Sequence, residues 1–201
     1  MLKKIANNTP FSVILLIVSI IANNLASRFI HFFFPERLPA HDLIFTLTPT
    51  VLWTQYISDP LLLISLGAFL VMIFRRVKRG HQILIRQVIF SAGAVLCLRA
   101  IMEILTPLQR METFNQPYGI FQVIQHGLFP SGHTAISFLI YLYAQKLKPK
   151  KKWLAFFFFQ LIAQIVVLLL SRGHYSIDIA GGLMIAYVAY RKTLDLTEKP
   201  T

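Results

Sequence analysis

Charged residues are scarce in this sequence, and acidic residues are the scarcest. Only 14% of the 201 residues are charged, and just eight are Asp or Glu, whereas an ordinary soluble domain carries about 25% charged residues. Hydrophobic residues make up 56% of the chain, which is more than one water-soluble core can absorb. The composition therefore argues against an ordinary soluble domain and indicates that the bilayer is the solvent for most of the chain.

Cysteine is almost absent. The one cysteine, Cys97, lies inside an apolar run, so no internal disulfide bond can form. No cysteine and histidine cluster has the ligand spacing of a zinc site. We therefore expect Cys97 to be a small packed residue, as free cysteines usually are, and we expect no metal ligands of this type.

Six apolar stretches dominate the chain, near residues 11–30, 57–74, 87–107, 133–146, 153–171 and 177–190. A bilayer-spanning helix needs about 20 residues, so the fourth and sixth stretches must be completed by flanking polar residues. Residues 43–56 are apolar but too short to span and contain Pro49, which indicates an interfacial or re-entrant segment. Asp59 and Pro60 are expected simply to begin the second helix.

No repeat, low-complexity tract or Gly/Ser linker divides the chain. We therefore predict one all-α domain over residues 1–201. It would be a polytopic membrane helix bundle of six transmembrane helices plus a short interfacial segment.

Basic residues are concentrated in alternate loops. Fifteen of the twenty Lys and Arg residues fall on one side of a six-span chain. They are Lys3, Lys4, Arg75, Arg76, Lys78, Arg79, Arg86, Lys146, Lys148, Lys150, Lys151, Lys152, Arg191, Lys192 and Lys199. Because basic loops stay inside, both termini are predicted to be cytoplasmic. The same loops account for the net charge of +12 without nucleic acid, since they lack the interleaved aromatic residues that stack bases.

Two polar clusters then fall on the non-cytoplasmic face. Residues 129–134, Phe-Pro-Ser-Gly-His-Thr, open the fourth span, and residues 171–178, Ser-Arg-Gly-His-Tyr-Ser-Ile-Asp, join the fifth span to the sixth. One inward loop and two spans separate the clusters, so both return to the same membrane face. Ionisable groups near hydrocarbon are costly, and they usually pair with one another or serve a function. We therefore expect one shared site on the periplasmic or lumenal side.

The second cluster contains the elements of a nucleophile. His174 and Asp178 are four residues apart, so on a helical turn they share a face. A carboxylate in that position can hold one imidazole nitrogen as N–H and leave the other free to attack. Arg172 can hold phosphate oxygens with two parallel hydrogen bonds.

The first cluster contains the elements of an anion site and an acid. Ser131 and Gly132 lead into a helix whose first N–H groups favour an anion, and the glycine permits close approach. His133 is then placed where it can protonate a leaving alkoxide, a step typically worth about 10²–10⁴-fold in rate. A lone histidine at a helix end is more often structural. The prediction therefore rests on two histidines, an arginine and an aspartate occurring together in the two clusters.

These clusters resemble the type 2 phosphatidic acid phosphatase superfamily, which includes membrane lipid phosphatases and soluble haloperoxidases. Residues 130–134 match its Pro-Ser-Gly-His motif, and residues 171–178 look like its final Ser-Arg…His…Asp motif. The resemblance covers roughly residues 98–194. It implies a helical bundle that works without a metal or other cofactor. It also implies that His174 forms a phosphohistidine, that Asp178 orients it, and that His133 is the acid for the leaving group.

The sequence departs from the common phosphatase pattern in two ways. Only Gly173 separates Arg172 from the final histidine, where the pattern has five residues. This compact motif and the stretch from Gly127, Gly-Leu-Phe-Pro-Ser-Gly-His-Thr, are more similar to the sphingomyelin synthase branch. The first phosphatase motif, Lys followed seven residues later by Arg-Pro, is absent. Its nearest substitute is Arg99, which is either a phosphate or head-group ligand or a structural partner of Glu103.

Three functions are compatible with these features. Water would resolve the phosphohistidine in a lipid phosphate phosphatase, and a lipid alcohol would resolve it in a sphingomyelin synthase-like phosphotransferase. A non-catalytic lipid transporter would instead carry ionisable residues near the middle of the bilayer on several spans. Because most of them gather at one face, we predict an enzyme whose partners are membrane lipids. Its small size favours a bacterial inner membrane.

Overall fold

The described part of the chain is helical. A computed structural model describes residues 9–77, 82–109 and 128–197, and no β-strand occurs in these ranges. The elements are α1 Thr9–Phe33, α2 Leu43–Leu47, a 3₁₀ turn Leu52–Thr54, α3 Gln55–Val77, α4 Gln82–Leu105, α5 Gly132–Lys146, α6 Lys151–Leu170 and α7 Ser176–Thr197. The all-α prediction is confirmed, and each apolar stretch forms the body of one long helix. Gly127, where the sphingomyelin synthase-like stretch begins, lies outside the described residues.

Four of the described helical segments are long and apolar enough to cross a membrane, as expected of an integral membrane protein. They are Thr9–Phe33, Leu52–Arg75, Ile83–Leu105 and Lys151–Leu170. With 15 residues, α5 is about 22 Å long at 1.5 Å per residue, which is shorter than the ~30 Å hydrocarbon core. α7 carries four charged residues. The six-span count therefore stays a prediction.

The short helix α5 lies at the centre of the bundle. It packs against α3, α4, α6 and α7, while α1 packs along α4. Eight residues of α5 are buried: Thr134, Ala135, Ser137, Leu139, Ile140, Leu142, Tyr143 and Ala144. Because neighbouring helices surround it, α5 can carry hydroxyl side chains that a lipid-facing helix would expose to hydrocarbon.

Hydrogen-bonded side chains join α4, α5 and α7 at the end of the bundle that carries the basic loops. The hydroxyl groups of Ser91 and Tyr143 lie 2.7 Å apart, and Ser91 donates to Thr193 Oγ1 at 2.8 Å. Lys146 Nζ donates to Gln87 Oε1 at 2.7 Å. These bonds satisfy polar groups that would otherwise be costly to bury, and they fix the register of the three helices.

Residues 40–54, which we call the cover segment, pack over the junction of α6 and α7. Asp42 caps α2 by accepting a hydrogen bond from Ile44 N at 2.9 Å, and it also accepts one from Ser176 N. Val51 N donates to Leu170 O at 2.8 Å. The segment thus ties the chain between α1 and α3 to the end of the bundle that carries the two sequence clusters.

The second long helix begins earlier than the sequence suggested. The 3₁₀ turn runs directly into α3 at Gln55, and Pro60 lies inside the helix. The prediction that Asp59 and Pro60 begin this helix is therefore wrong. Continuous turns from Leu52 place Asp59 more than one turn inside the helical segment, where its side chain can face a neighbouring helix.

Candidate active site

The two polar clusters meet at one end of the bundle. The ring centroids of His133 and His174 lie 6.5 Å apart, with 60° between the ring planes. The backbones are joined as well, because Ser131 N donates to Asp178 O at 2.9 Å. The juxtaposition that the spacing of the clusters predicts is therefore present in the structure.

His174 and Asp178 form a close pair across the start of α7. His174 Nδ1 lies 3.3 Å from Asp178 Oδ2, and the same oxygen accepts a hydrogen bond from Tyr175 N at 2.8 Å. Asp178 is fully buried, and its Oδ1 has no hydrogen-bond partner among the described residues. A carboxylate in the first turn of a helix is favoured by the helix dipole. The sequence therefore places this charge where the backbone stabilises it.

Burial sets the protonation state of His174. Its pKa is lowered, chiefly because only 7% of the residue is exposed and the charged ring loses its hydration. The hydrogen bond that Asp178 accepts from the ring opposes this effect by raising the pKa of His174, but it does not outweigh burial. The ring is accordingly neutral at pH 7. With the proton of Nδ1 directed at Asp178, the lone pair of Nε2 is available.

His133 sits in the first turn of α5 because Ser131 caps that helix. Ser131 Oγ accepts a hydrogen bond from Thr134 N at 3.3 Å and another from Thr134 Oγ1 at 3.1 Å. Ser131 is fully buried, so its hydroxyl group serves the helix start. Contact between substrate and Ser131 or Gly132 remains a prediction.

Asp59 is the site residue that the sequence analysis missed. His133 Nε2 lies 2.7 Å from Asp59 Oδ1, and the two side chains are 24% and 32% exposed. Each histidine therefore has its own carboxylate. The sequence did hold one usable signal: in a six-span chain, residue 59 enters the second span from the same face as the two clusters.

Arg99 lies beneath the Pro-Ser-Gly-His turn. Its Nε donates to Pro130 O at 3.0 Å, and its Nη1 lies 3.2 Å from Glu103 Oε2. A Cβ added at Gly132 would come within 3.3 Å of Arg99 Nε, so glycine permits this close packing. These contacts are those of a structural partner. Binding of phosphate by Arg99 stays a prediction.

A residue of α1 also reaches Arg99. The buried side chain of Asn23 accepts a hydrogen bond from Arg99 Nη1. No role could be predicted for Asn23 from the sequence, because an asparagine in an apolar stretch has no characteristic spacing. The arginine is thereby held by α1 and by the turn before α5 as well as by its own helix.

Arg172 binds the cover segment in this structure. Its guanidinium donates to Thr50 Oγ1 at 3.0 Å, to Phe45 O at 2.8 Å and to both oxygens of Thr48 at 3.2 and 2.6 Å. Its backbone has a φ of 60°, a conformation that costs about 1–3 kcal/mol in a non-glycine residue and persists only when the surroundings hold it. Phosphate binding by Arg172 stays a prediction that requires some of these bonds to be exchanged.

The described residues do not form an evident metal site. Within residues 9–77, 82–109 and 128–197, no three His, Cys, Asp or Glu side chains are grouped so that they could share a metal ion.

Two histidine–carboxylate pairs at one end of a helical membrane bundle define a class of protein suited to phosphoryl chemistry. Comparison with known families agrees with this class. The family described as the PAP2 superfamily matches residues 31–191, which is most of the chain. The chain therefore belongs to the PAP2 superfamily, and the resemblance inferred from its motifs is confirmed.

A distant relative supports the similarity of this chain to the sphingomyelin synthase-like branch. The chain is 21% identical over 202 residues to phosphatidylcholine:ceramide cholinephosphotransferase 1 of Caenorhabditis elegans. The match covers 85% of this chain and 43% of the relative. The chain thus spans less than half the length of that relative.

Close packing between α7 and the turn before α5 gives a test of how the site is held. A Cβ at Gly182 would lie 2.6 Å from Ser131 O, whereas a Cβ at Gly67 in α3 would meet nothing within 4 Å. We expect Gly182→Ala to lower the Tm by roughly 3–10 °C, the effect of about 1–3 kcal/mol of overpacking. Gly67→Ala is the matched control and should leave the Tm unchanged or slightly raised. Thermal unfolding in detergent measures both, and equal Tm values for the two variants would contradict this packing.

Proposed function

We propose that this protein transfers a phospho-group from a membrane lipid through a phosphohistidine on His174. The proposal rests on the neutral, Asp178-held ring of His174 lying 6.5 Å from the ring of His133. A near-attack separation of about 3 Å plus a hydrogen bond of about 3 Å spans roughly this distance. The separation of the ring centroids therefore supports a phosphoryl group held between the two rings.

In the first step, His174 Nε2 attacks the phosphorus of the donor lipid. An N–P bond forms, and the P–O bond to the lipid alcohol breaks. His133 donates its proton to the departing oxygen, and Asp59 orients the His133 ring through the contact at Nε2. Asp178 accepts the hydrogen bond of His174 Nδ1–H, which keeps its proton, and stabilises the positive charge that develops on that ring.

In the second step, an acceptor hydroxyl group replaces the lipid alcohol. It gives its proton to the now neutral His133 and attacks phosphorus, and the N–P bond breaks to regenerate His174. The products are the acceptor's phospho-ester and the free enzyme. Donor and acceptor thus use the same two histidines in opposite directions.

A lipid alcohol is the acceptor that we favour. His174 is only 7% exposed and Asp178 is fully buried, so the nucleophile lies where water is restricted. The relative from Caenorhabditis elegans is named a phosphatidylcholine:ceramide cholinephosphotransferase, which supports transfer of a head group between lipids. Hydrolysis is the second candidate, because His133 and Asp59 are 24% and 32% exposed and water reaches that side of the site.

The site is further proposed to face away from the cytoplasm. If α5 and α7 complete six spans, both termini and the basic loops are cytoplasmic. The histidines then open on the periplasmic side of a bacterial inner membrane, or on the lumenal side in a eukaryotic cell.

Thiol labelling tests this orientation in a Cys97→Ser background. We expect Leu38→Cys, near the site, to react with a membrane-impermeant maleimide added to intact cells. Lys192→Cys, in the last turns of α7, should react only after permeabilisation, because basic segments stay inside. Reaction of both positions from the same side would contradict six spans, and the reversed pattern would contradict the proposed sidedness.

Donors with different leaving groups distinguish the proposed roles of the two histidines. His174→Ala should abolish turnover of every donor, because no N–P bond can form. His133→Ala should lose about 10²–10⁴-fold on a lipid alkyl phosphate but far less on an aryl phosphate, whose leaving group needs no proton. His31→Ala on α1 is the matched control and should keep full activity.

Turnover rates of the variants are measured in detergent on the lipid alkyl phosphate and on the aryl phosphate. The comparison requires that all three variants keep the Tm of the parent chain. Unchanged activity in His174→Ala would exclude the mechanism. Equal losses on both donors in His133→Ala would exclude its role as the acid.

A lipid donor labelled in its phosphate separates transfer from hydrolysis. Purified full-length chain should move the label to diacylglycerol or ceramide when either is added, and it should release little soluble label without them. The rate should not change with excess chelator, because the mechanism uses only imidazole and carboxylate groups. Acceptor-independent release would establish hydrolysis, and loss of activity with chelator would contradict the metal-free mechanism.

A further inference from the structure

A pocket lies at the end of the bundle opposite the two histidines. It has a volume of about 260 Å³ and is lined by Ala68, Val71, Met72, Arg75, Pro149, Lys150 and Trp153. Arg75 is near the end of α3, and Lys150 immediately precedes α6. The histidine site lies where α5 begins and α6 ends, so the two regions are separated by the length of the bundle.

The cations at this pocket have no anionic partner within the chain as described. No described acidic side chain pairs with Arg75 or Lys150, and both residues are exposed. Lys148, Lys151 and Lys152 add further positive charge in the same stretch of chain as Lys150. An external anion is therefore the partner that would balance this end of the pocket.

The start of α6 contributes further positive charge to the same pocket. Lys150 is the N-cap residue, no side chain caps the helix, and the first turn carries no acidic residue. The first N–H groups and the positive end of the helix dipole are thus left without the usual compensation. This backbone charge reinforces the two side-chain cations that line the pocket.

The remaining walls are apolar and belong to the membrane-facing part of the bundle. Ala68, Val71 and Met72 lie on α3 within the segment that is apolar enough to span a membrane. Trp153 stands at the rim, and tryptophan is enriched where a membrane meets water. A cationic rim above an apolar trough matches a molecule with an anionic head and a hydrocarbon tail.

We propose that this pocket binds one anionic phospholipid, distinct from the lipid that reacts at the histidines. The head-group phosphate lies between Arg75 and Lys150 at the start of α6, and an acyl chain follows Ala68, Val71 and Met72. Basic pockets between transmembrane helices are a recurring way of binding anionic head groups. A soluble phosphate ion would use the cations but not the apolar trough.

Binding of a defined lipid to the purified full-length chain tests the site. The chain is held in zwitterionic phosphatidylcholine micelles, and phosphatidylglycerol is titrated while bound lipid is counted by native mass spectrometry. We expect one saturable phosphatidylglycerol per chain. Arg75→Gln with Lys150→Gln should weaken its binding about 20- to 30-fold, since each basic residue near a membrane surface contributes roughly five-fold.

Matched variants distinguish this pocket from diffuse attraction. Lys151→Gln with Lys152→Gln removes the same charge from the same stretch of chain but spares the lining, and it should change binding less than three-fold. Val71→Trp fills the trough with both cations intact and should also weaken binding. Val188→Trp on α7 is its control. All four positions are exposed, so these variants are expected to fold, and their Tm without phosphatidylglycerol checks this.

Three results would overturn the proposal. Equal losses in the two charge pairs would mean general electrostatic attraction. Unchanged binding in Arg75→Gln with Lys150→Gln would place the bound lipid elsewhere, including at the histidine site. Displacement of the lipid by glycerol phosphate as effectively as by phosphatidylglycerol would show that the apolar trough contributes nothing.

Discussion

The buried carboxylate of Asp178 is the group on which the rest of the site depends. Its Oδ2 lies 3.3 Å from His174 Nδ1 and accepts the backbone N–H of Tyr175, while its own backbone oxygen accepts the N–H of Ser131. One residue therefore contacts the ring of His174, which is the proposed nucleophile, closes the turn before α7 and joins the two sequence clusters. A charge that is fully buried is costly unless it is held in this way.

The surrounding bundle is arranged so that this junction can form. A Cβ at Gly181 would collide with Phe129 and Pro130, and a Cβ at Gly182 would collide with the Ser131 carbonyl. The two glycines therefore let α7 approach the turn before α5 more closely than larger residues would allow. Below the turn, Arg99 donates to Pro130 O and is joined to Glu103 on its own helix. The Pro-Ser-Gly-His turn is thus held by α7 on one side and by α4 on the other.

The cover segment completes the site from outside. The guanidinium of Arg172 donates hydrogen bonds to residues 45–50. The ring of Tyr175 stacks on that of Phe45, with the ring centroids 5.4 Å apart. Both residues flank His174 in sequence, so the cover segment contacts the turn that contains it on either side of the histidine.

Hydropathy was enough to predict the helices. The number of spans between the two clusters was enough to predict that the clusters meet. Apolar stretches mark helices regardless of their neighbours, and two intervening spans return a chain to the same face. The four-residue spacing likewise predicted the pairing of His174 with Asp178.

Lateral packing could not be predicted in the same way. Hydropathy does not reveal which helix neighbours which in a membrane, because lipid-facing and helix-facing surfaces are both apolar. The contacts of His133 with Asp59 and of Arg99 with Asn23 join helices far apart in sequence. The positive φ of Arg172, which accompanies its contacts with the cover segment, has no sequence signal either.

The central claim is that one phosphoryl group is held between His133 and His174. An experimental structure of the full chain with orthovanadate, an analogue of the transferring phosphoryl group, tests it most directly. We predict vanadium within bonding distance of His174 Nε2, with a vanadate oxygen in hydrogen-bond contact with His133. Vanadate bound away from this pair, or histidine rings too far apart to share it, would contradict the account.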